Sequence, residues 1–168
     1  MDTPVLGEKV LHSPERSQSY RIAEENRKVI DNLMLGENFI EEKTALQTAI
    51  DGIFGLFPRL NERRNQMAGT LSGGERQMLA IGIALIRRPT PMMLDEPSLR
   101  LAPIMVQGVM KNILEINQRF GVTILLVEQN VKQALEISRR VYVLKIGAMI
   151  HEEKEMNQLD HERLWKLF

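Results

Sequence analysis

Apolar positions change period several times along this chain. Arg21 to Leu35 and Ile40 to Phe57 read as helices; in the second, Leu46, Ile50, Ile53, Phe54 and Phe57 recur at spacings of three and four, one face of a helix. Pro58 stops that run, because it cannot donate an N–H and its ring crowds the preceding turn. Asn61 to Thr70 is charged and predicts a short helix and a turn. Ser72 can cap a helix over Gly73 to Ile86, and Glu75 stands three residues on, the capping-box spacing. Pro89 and Pro91 end that element, and Met92, Met93 and Leu94 read as a short buried strand, with both methionines as core filler.

Pro103 suits the first turn of a helix reaching Arg119, with Val106, Val109, Met110, Ile113 and Ile116 on one face and Gly121 as its stop. Thr123 to Val127, TILLV, is an unbroken Leu and β-branched run, expected of a strand covered on both faces. Val131 to Ser138 predicts a short helix. Val141 to Leu144 predicts a strand, to which Ala148 to Ile150 can pair after a turn at Gly147. Glu155 to Phe168 reads as a terminal helix that docks through Trp165 and Phe168. Residues 1 to about 20 are weakly patterned, with Pro4, Gly7 and Pro14 as breakers. From Gly73 onward, helix and strand alternate, which predicts an α/β core with parallel strands flanked by helices. The preceding seventy residues predict a helical lobe.

Composition narrows the partners. The 168 residues are 43% hydrophobic, ordinary for a globular protein, and suffice for one domain with a real core. Lys plus Arg and Asp plus Glu are 22 each, so the net charge is zero, which argues against a general nucleic-acid binder. Arg59/Arg63/Arg64, Arg87/Arg88 and Arg139/Arg140 form small basic clusters that read as solvated surface. There is no cysteine, so disulfide and thiolate chemistry are excluded. His12, His151 and His161 are scattered without ligand spacing. No stretch approaches the roughly 20 apolar residues of a membrane span, and the N-terminus has no signal-length apolar run; direct membrane insertion is not expected.

Two short stretches carry candidate chemistry. In Ser72-Gly73-Gly74-Glu75, a helix start offers unpaired N–H groups and partial positive charge, two glycines permit close approach, and the serine hydroxyl adds a donor. A phosphate is the natural guest, and an ordinary capped turn is the bland alternative. In Met92-Met93-Leu94-Asp95-Glu96, a strand ends on two carboxylates. Ligands of α/β sheets gather beyond the carboxyl ends of strands. Asp95 there can hold Mg²⁺ through water and Glu96 can orient and deprotonate an attacking water; a strand running into a polar turn at Pro97 is the alternative.

LSGGE followed by MMLDEP resembles the signature motif and Walker B of ATP-binding-cassette ATPases. FPRLNERRNQMAGTLSGGERQMLAIGIALIRRP, LDEPSLRLAP and VTILLVEQN look like the ATPase subunits of branched-chain amino-acid importers, with the close match over Phe57 to Leu144. The resemblance implies a partial P-loop NTPase core: residues 1–20 a remnant around the Q-loop, 21–70 a helical subdomain, and 71–168 the C-terminal part of the α/β core. It implies that Ser72, Gly73 and Gly74, with Glu75 beside them, face the ATP of an opposite subunit. It makes Asp95 the Mg²⁺ residue, Glu96 the general base, and places Ser98-Leu99-Arg100 on the D-loop at the dimer interface. Gln129 falls on the switch position, where most of the superfamily has His. Gln cannot become cationic, so only a hydrogen-bonding role is open to it. Pro14-Glu15 resembles the Q-loop. Arg100 stands where this branch usually has Gly, and RSQSYRIAEENRKVI interrupts the match between Glu15 and Asn32.

No G-x-x-x-x-G-K-[ST] occurs in the sequence. The family's P-loop supplies phosphate-wrapping amides, a neutralising Lys and a hydroxyl on Mg²⁺. The expectation is therefore a C-terminal portion of a cassette, with ATP and Mg²⁺ held by the intact family dimer and neither held tightly by this chain alone. A second cassette subunit and transporter membrane subunits are the expected partners, on the cytoplasmic face of a membrane. An alternative is a catalytically dead module that pairs with a complete cassette or a membrane domain. The absent P-loop strand would leave a sheet edge or face uncovered, open to self-association.

Overall fold

The computed structural model describes residues 23–40, 42–99, 101 and 103–154. Glu15 and the Q-loop alignment, Arg100, His12, His161, and the terminal helix with Trp165 and Phe168 lie outside the described residues.

The chain opens with helix α1 (Val29–Met34) and a 3₁₀ turn over Leu35–Asn38. Next come α2 (Lys43–Leu56), α3 (Pro58–Glu62), a second 3₁₀ turn over Ala68–Thr70, and α4 (Gly73–Ile86). Strand β1 (Pro91–Asp95), helix α5 (Pro103–Phe120), strand β2 (Thr123–Val127), helix α6 (Val131–Ile137) and the hairpin β3 (Val141–Lys145) and β4 (Ala148–Glu153) complete it.

The expected helix from Arg21 is cut short, and Asn32 supplies the reason. Its side chain is fully buried; Oδ1 accepts from the Glu24 N–H at 2.7 Å, and Nδ2 donates to the carbonyls of Glu24 at 3.1 Å and Lys28 at 3.0 Å. These bonds fold 24–28 into a loop over the start of α1 and satisfy polar groups that a helix would pair internally. The loop then pairs with a later segment: Val29 N–H donates to Gln66 O, and Ala68 N–H to Arg27 O. Pro58 does more than stop α2. It is also the first residue of α3, where its missing N–H costs nothing, so the short helix begins earlier than the charge pattern predicts.

The main core is continuous from the helices into the sheet. Val29, Leu33, Ile50, Ile53, Phe57, Leu60, Leu79, Ile86, Met92, Ile116 and Val122 belong to one buried cluster. Thus α4 packs with the helices before it as well as feeding β1. Close approach is built into that packing. A Cβ on Gly36 would stand 2.1 Å from Ile86 Cγ2, and one on Gly82 2.9 Å from Ile53 Cγ2.

β1 and β2 pair in parallel with Met92 opposite Ile124 and Asp95 opposite Val127. The α5 face read from the sequence is buried as expected: Val106, Val109, Met110 and Ile113 pack against Leu94, Ile124 and Leu126, and Ile116 joins the main core. Gly121 ends α5 at φ +66°. Two expectations about the sheet are corrected. Among the described residues only one of its faces is covered: the alternation of the pleat sends Met92 inward at 3% exposure and Met93 outward at 71%, with Leu125 and Val127 also open. Met93 is therefore not core filler. β3, expected to extend the alternating parallel order, lies outside the β1–β2 sheet among the described residues, whereas its expected pairing with the segment after Gly147 holds: β3 and β4 form an antiparallel hairpin. The Ile146-Gly147 turn, both residues at positive φ, sends the chain straight back along itself.

Gly36→Ala is expected to destabilise the fold by about 1–3 kcal/mol through overpacking against Ile86, read as a lower urea midpoint at unchanged slope.

Candidate functional site

The first candidate group sits at the start of α4. Ser72 is its N-cap; its hydroxyl accepts from the Glu75 N–H at 3.4 Å and donates to Glu75 Oε2 at 2.8 Å. The same carboxylate oxygen accepts from the Ser72 N–H at 2.9 Å, closing a full capping box. Arg63 Nε lies 2.7 Å from Glu75 Oε1, an ion pair without hydrogen-bond alignment. With its side chain 11% exposed, Glu75 faces inward. Burial by itself pushes its carboxyl pKa up; the Ser72 hydrogen bonds and the Arg63 charge outweigh that and hold it below its ordinary value of 4.5. The two glycines differ. A Cβ on Gly73 would meet open space, whereas one on Gly74 would stand 3.1 Å from Met105 Cε and 3.7 Å from Leu101 Cδ2. Gly73 leaves the backbone open to a ligand, and Gly74 lets α5 approach.

The second group forms at the carboxyl ends of β1 and β2. Because Asp95 pairs with Val127, the residues after each strand emerge side by side. Glu96 N–H extends the ladder by donating to Val127 O at 2.8 Å. Glu96 itself has φ +46°, a left-handed conformation costing roughly 1–2 kcal/mol for a residue with a Cβ. Its Oε1 accepts a hydrogen bond from Gln129 Nε2 across 33 residues of sequence. Such strain persists only where surrounding contacts over-determine it. Asp95 ends its strand exposed. Glu96, Ser98, Leu99, Glu128, Gln129 and Asn130 line a cleft of about 260 Å³, closed by Leu101, Pro103 and Val106.

The structure thus brings Glu96, Ser98 and Gln129 together, with Asp95 adjacent in the chain. Ser72, Gly73, Gly74 and Glu75 form a separate group outside that cleft. Sequence reasoning missed Glu128, whose Oε1 accepts from the Ser98 N–H at 2.9 Å and Oε2 from the Asn130 N–H at 3.4 Å. A carboxylate directly after a strand, beside Gln129, was the available signal. Arg63 was likewise read as solvated surface, although it pairs with the buried Glu75.

Among the described residues, Asp95 ends β1 exposed and makes no side-chain hydrogen bond or ion pair, so its carboxylate is available to a hydrated cation. Among the described residues no group of three or more His, Cys, Asp or Glu stands together to hold a metal. That donor set does not make a protein cage, but it fits Mg²⁺, which keeps most of its waters and leans on substrate phosphates. Also among the described residues, no helix is long and apolar enough to cross a membrane.

Residues 5–99 match the profile of the family described as "ABC transporter". The high-affinity branched-chain amino acid transport ATP-binding protein BraG of Pseudomonas aeruginosa is 45% identical over 152 residues, 86% of this chain and 65% of that protein. The probable branched-chain amino acid transport ATP-binding protein LivF of Archaeoglobus fulgidus is 40% identical over 144 residues, 83% of this chain and 61% of that one. Among solved structures, the ADP conformation of MJ1267, an ATP-binding cassette of an ABC transporter, superposes with a TM-score of 0.72 at 24% identity. That superposition covers 84% of this chain and 60% of MJ1267. The chain therefore spans somewhat under two thirds of the length of each.

Ser72→Ala is expected to cost about 1 kcal/mol of stability through the lost cap. The folded-state pKa of Glu75 is depressed, so its contribution is fully present above its unfolded value of 4.5 and is lost as pH falls through the lower folded value. Denaturant titrations of wild type and Glu75→Gln should therefore differ most near neutrality and converge in acid.

Proposed function

The chain belongs to the ABC transporter family, and from that premise we propose that it is part of the ATP-binding subunit of a branched-chain amino-acid importer. In this proposal it does not turn over ATP alone but completes a nucleotide site together with a second cassette. The observation that carries it is the meeting of Glu96 and Gln129 beside Asp95 at two adjacent strand ends, in a chain that also presents a capped, glycine-lined helix start. The relation to BraG and LivF supports the branched-chain amino-acid assignment.

Two features favour shared over solitary action. The helix start and the cleft share no lining residue, so one chain offers two half-sites that do not converge on one ligand. The sequence also lacks a G-x-x-x-x-G-K-[ST] run to wrap a triphosphate. Mg²⁺, when bound near Asp95, would offset charge on phosphate oxygens. The chain's own residues do the rest. Glu96 Oε1 is engaged by Gln129, which leaves Oε2 as the oxygen able to accept a proton from water. Gln129 stays neutral at any pH, so it orients Glu96 and can donate to a phosphate oxygen without a change of charge. Gly73 leaves room for an anion at the positive end of α4, and the Ser72 hydroxyl can donate to it by turning from Glu75, which keeps the Ser72 N–H. On this reading the chain lies on the cytoplasmic face of a membrane, held by transporter membrane subunits.

Calorimetry of the chain with Mg-ATP should give no binding in the micromolar range. When it is mixed with a complete homologous cassette, that cassette's ATPase rate should rise, and Ser72→Glu, which places a negative charge at the anion position, should abolish the rise. Micromolar binding by the chain alone, or no association between the two, sinks the proposal. Association with no change in rate moves the assignment to a catalytically silent interaction module.

A further inference from the structure

Glu128 is the carboxylate at the cleft that the proposed chemistry leaves without a role. Its two oxygens are spent on backbone N–H groups of two different loops, Ser98 after β1 and Asn130 at the cap of α6. Among the described residues it makes no ion pair. Ser98 is buried at 8% exposure, so its N–H would be orphaned without that acceptor. The Ser98 loop also holds Glu96 in its left-handed conformation, with Leu99 N–H donating back to Glu96 O at 3.0 Å.

We infer that Glu128 is a positioning residue that ties the Ser98 loop to the Gln129-Asn130 loop and thereby holds Glu96 and Gln129 in contact. The physical case rests on what the alternatives lack. The ladder bond from Glu96 N–H to Val127 O fixes the start of the first loop but not its course. The Gln129–Glu96 bond joins two side-chain ends, each free to rotate. The Glu128 carboxylate is the group that reaches loop backbone on both sides, through a charge-assisted bond of 2.9 Å from Ser98 N–H and a longer, local one of 3.4 Å from Asn130 N–H. When Gln129 releases Glu96 to meet a ligand, the Glu128 tie keeps the two loops in register, so the pair can re-form. The action of Glu96 and Gln129 on nucleotide rests on the function proposed above; the tie itself does not.

Glu128→Gln is the discriminating variant, because it keeps size and shape but can offer only one oxygen and turns an NH₂ toward one of the two N–H donors. Hydrogen exchange by NMR on the full chain should find the Ser98 amide exchanging roughly tenfold faster or more in Glu128→Gln. The Gln129 side-chain NH₂ signals should move toward free-amide positions, while strand amides of 124–126 keep wild-type rates. Glu128→Ala should move both readouts further in the same direction. Unchanged Ser98 exchange in either folded variant, or Gln129 signals that stay in place, overturns the inference. In the mixture with a complete cassette, Glu128→Gln should lower kcat and leave KM for ATP near wild type. If the wild-type chain leaves the cassette's rate unaltered, the proposed function fails while the exchange data still decide the tie.

Discussion

The site depends on the in-register parallel pairing of β1 and β2. Asp95 opposite Val127 determines that the chain leaves both strands at the same level. The Glu96 N–H to Val127 O bond carries the ladder one residue past the strand, and Glu96 enters the left-handed region at that point. A slip of one residue would invert the faces of β2 and put Leu125 and Val127 against α5. It would also separate Glu96 from Gln129. The packing of Ile124 and Leu126 against α5 therefore fixes the register that brings the two polar side chains to the same end of the sheet.

Helix α4 ties the other candidate group to the same core. Its N-terminus is closed by a reciprocal cap that Arg63 reinforces, and its body packs into the helical cluster through Leu79 and Ile86. Glu75 is thereby a structural carboxylate: both of its oxygens are engaged, and its charge is offset by Arg63. Family resemblance groups it with the nucleotide-facing residues; in the structure its oxygens are taken up by Ser72 and Arg63.

What was legible in the sequence was local. The capping box, the stop at Gly121, the break at Pro58 and the buried face of α5 each follow from residues within a turn or two of one another. What was not legible depends on partners far along the chain. Asn32 reads as one more polar residue in a helix until its bonds to Glu24 and Lys28 appear. The TILLV run is apolar at both parities, so nothing in it tells which face the helices cover; the pleat then leaves Met93, Leu125 and Val127 open. The β3–β4 hairpin was legible from its turn at Gly147; the alternating order of elements did not reveal that β3 lies apart from β1 and β2 among the described residues. Candidate site residues could be named from motif spacing, but the Gln129–Glu96 bond and the Glu128 tie arise from strand pairing, which spacing does not encode.

The two candidate groups, though apart, are joined by contiguous contacts. Gly74 approaches Leu101 and Met105 so closely that a Cβ would crowd Met105. Leu101 N–H donates to Ser98 O at 3.2 Å, and Ser98 N–H is held by Glu128. From the start of α4 to the Ser98 loop, the steps are the close approach of Gly74 to the Met105 and Leu101 side chains, the Leu101–Ser98 backbone bond and the Ser98–Glu128 bond. A shift of the α4 terminus toward α5 would press first on the Met105 methyl and then on Leu101. Contact alone does not amount to energetic coupling. It does locate the contacts through which the two groups meet: at Gly74, where the absence of a Cβ permits the approach, and at Glu128, where one carboxylate joins the two loops.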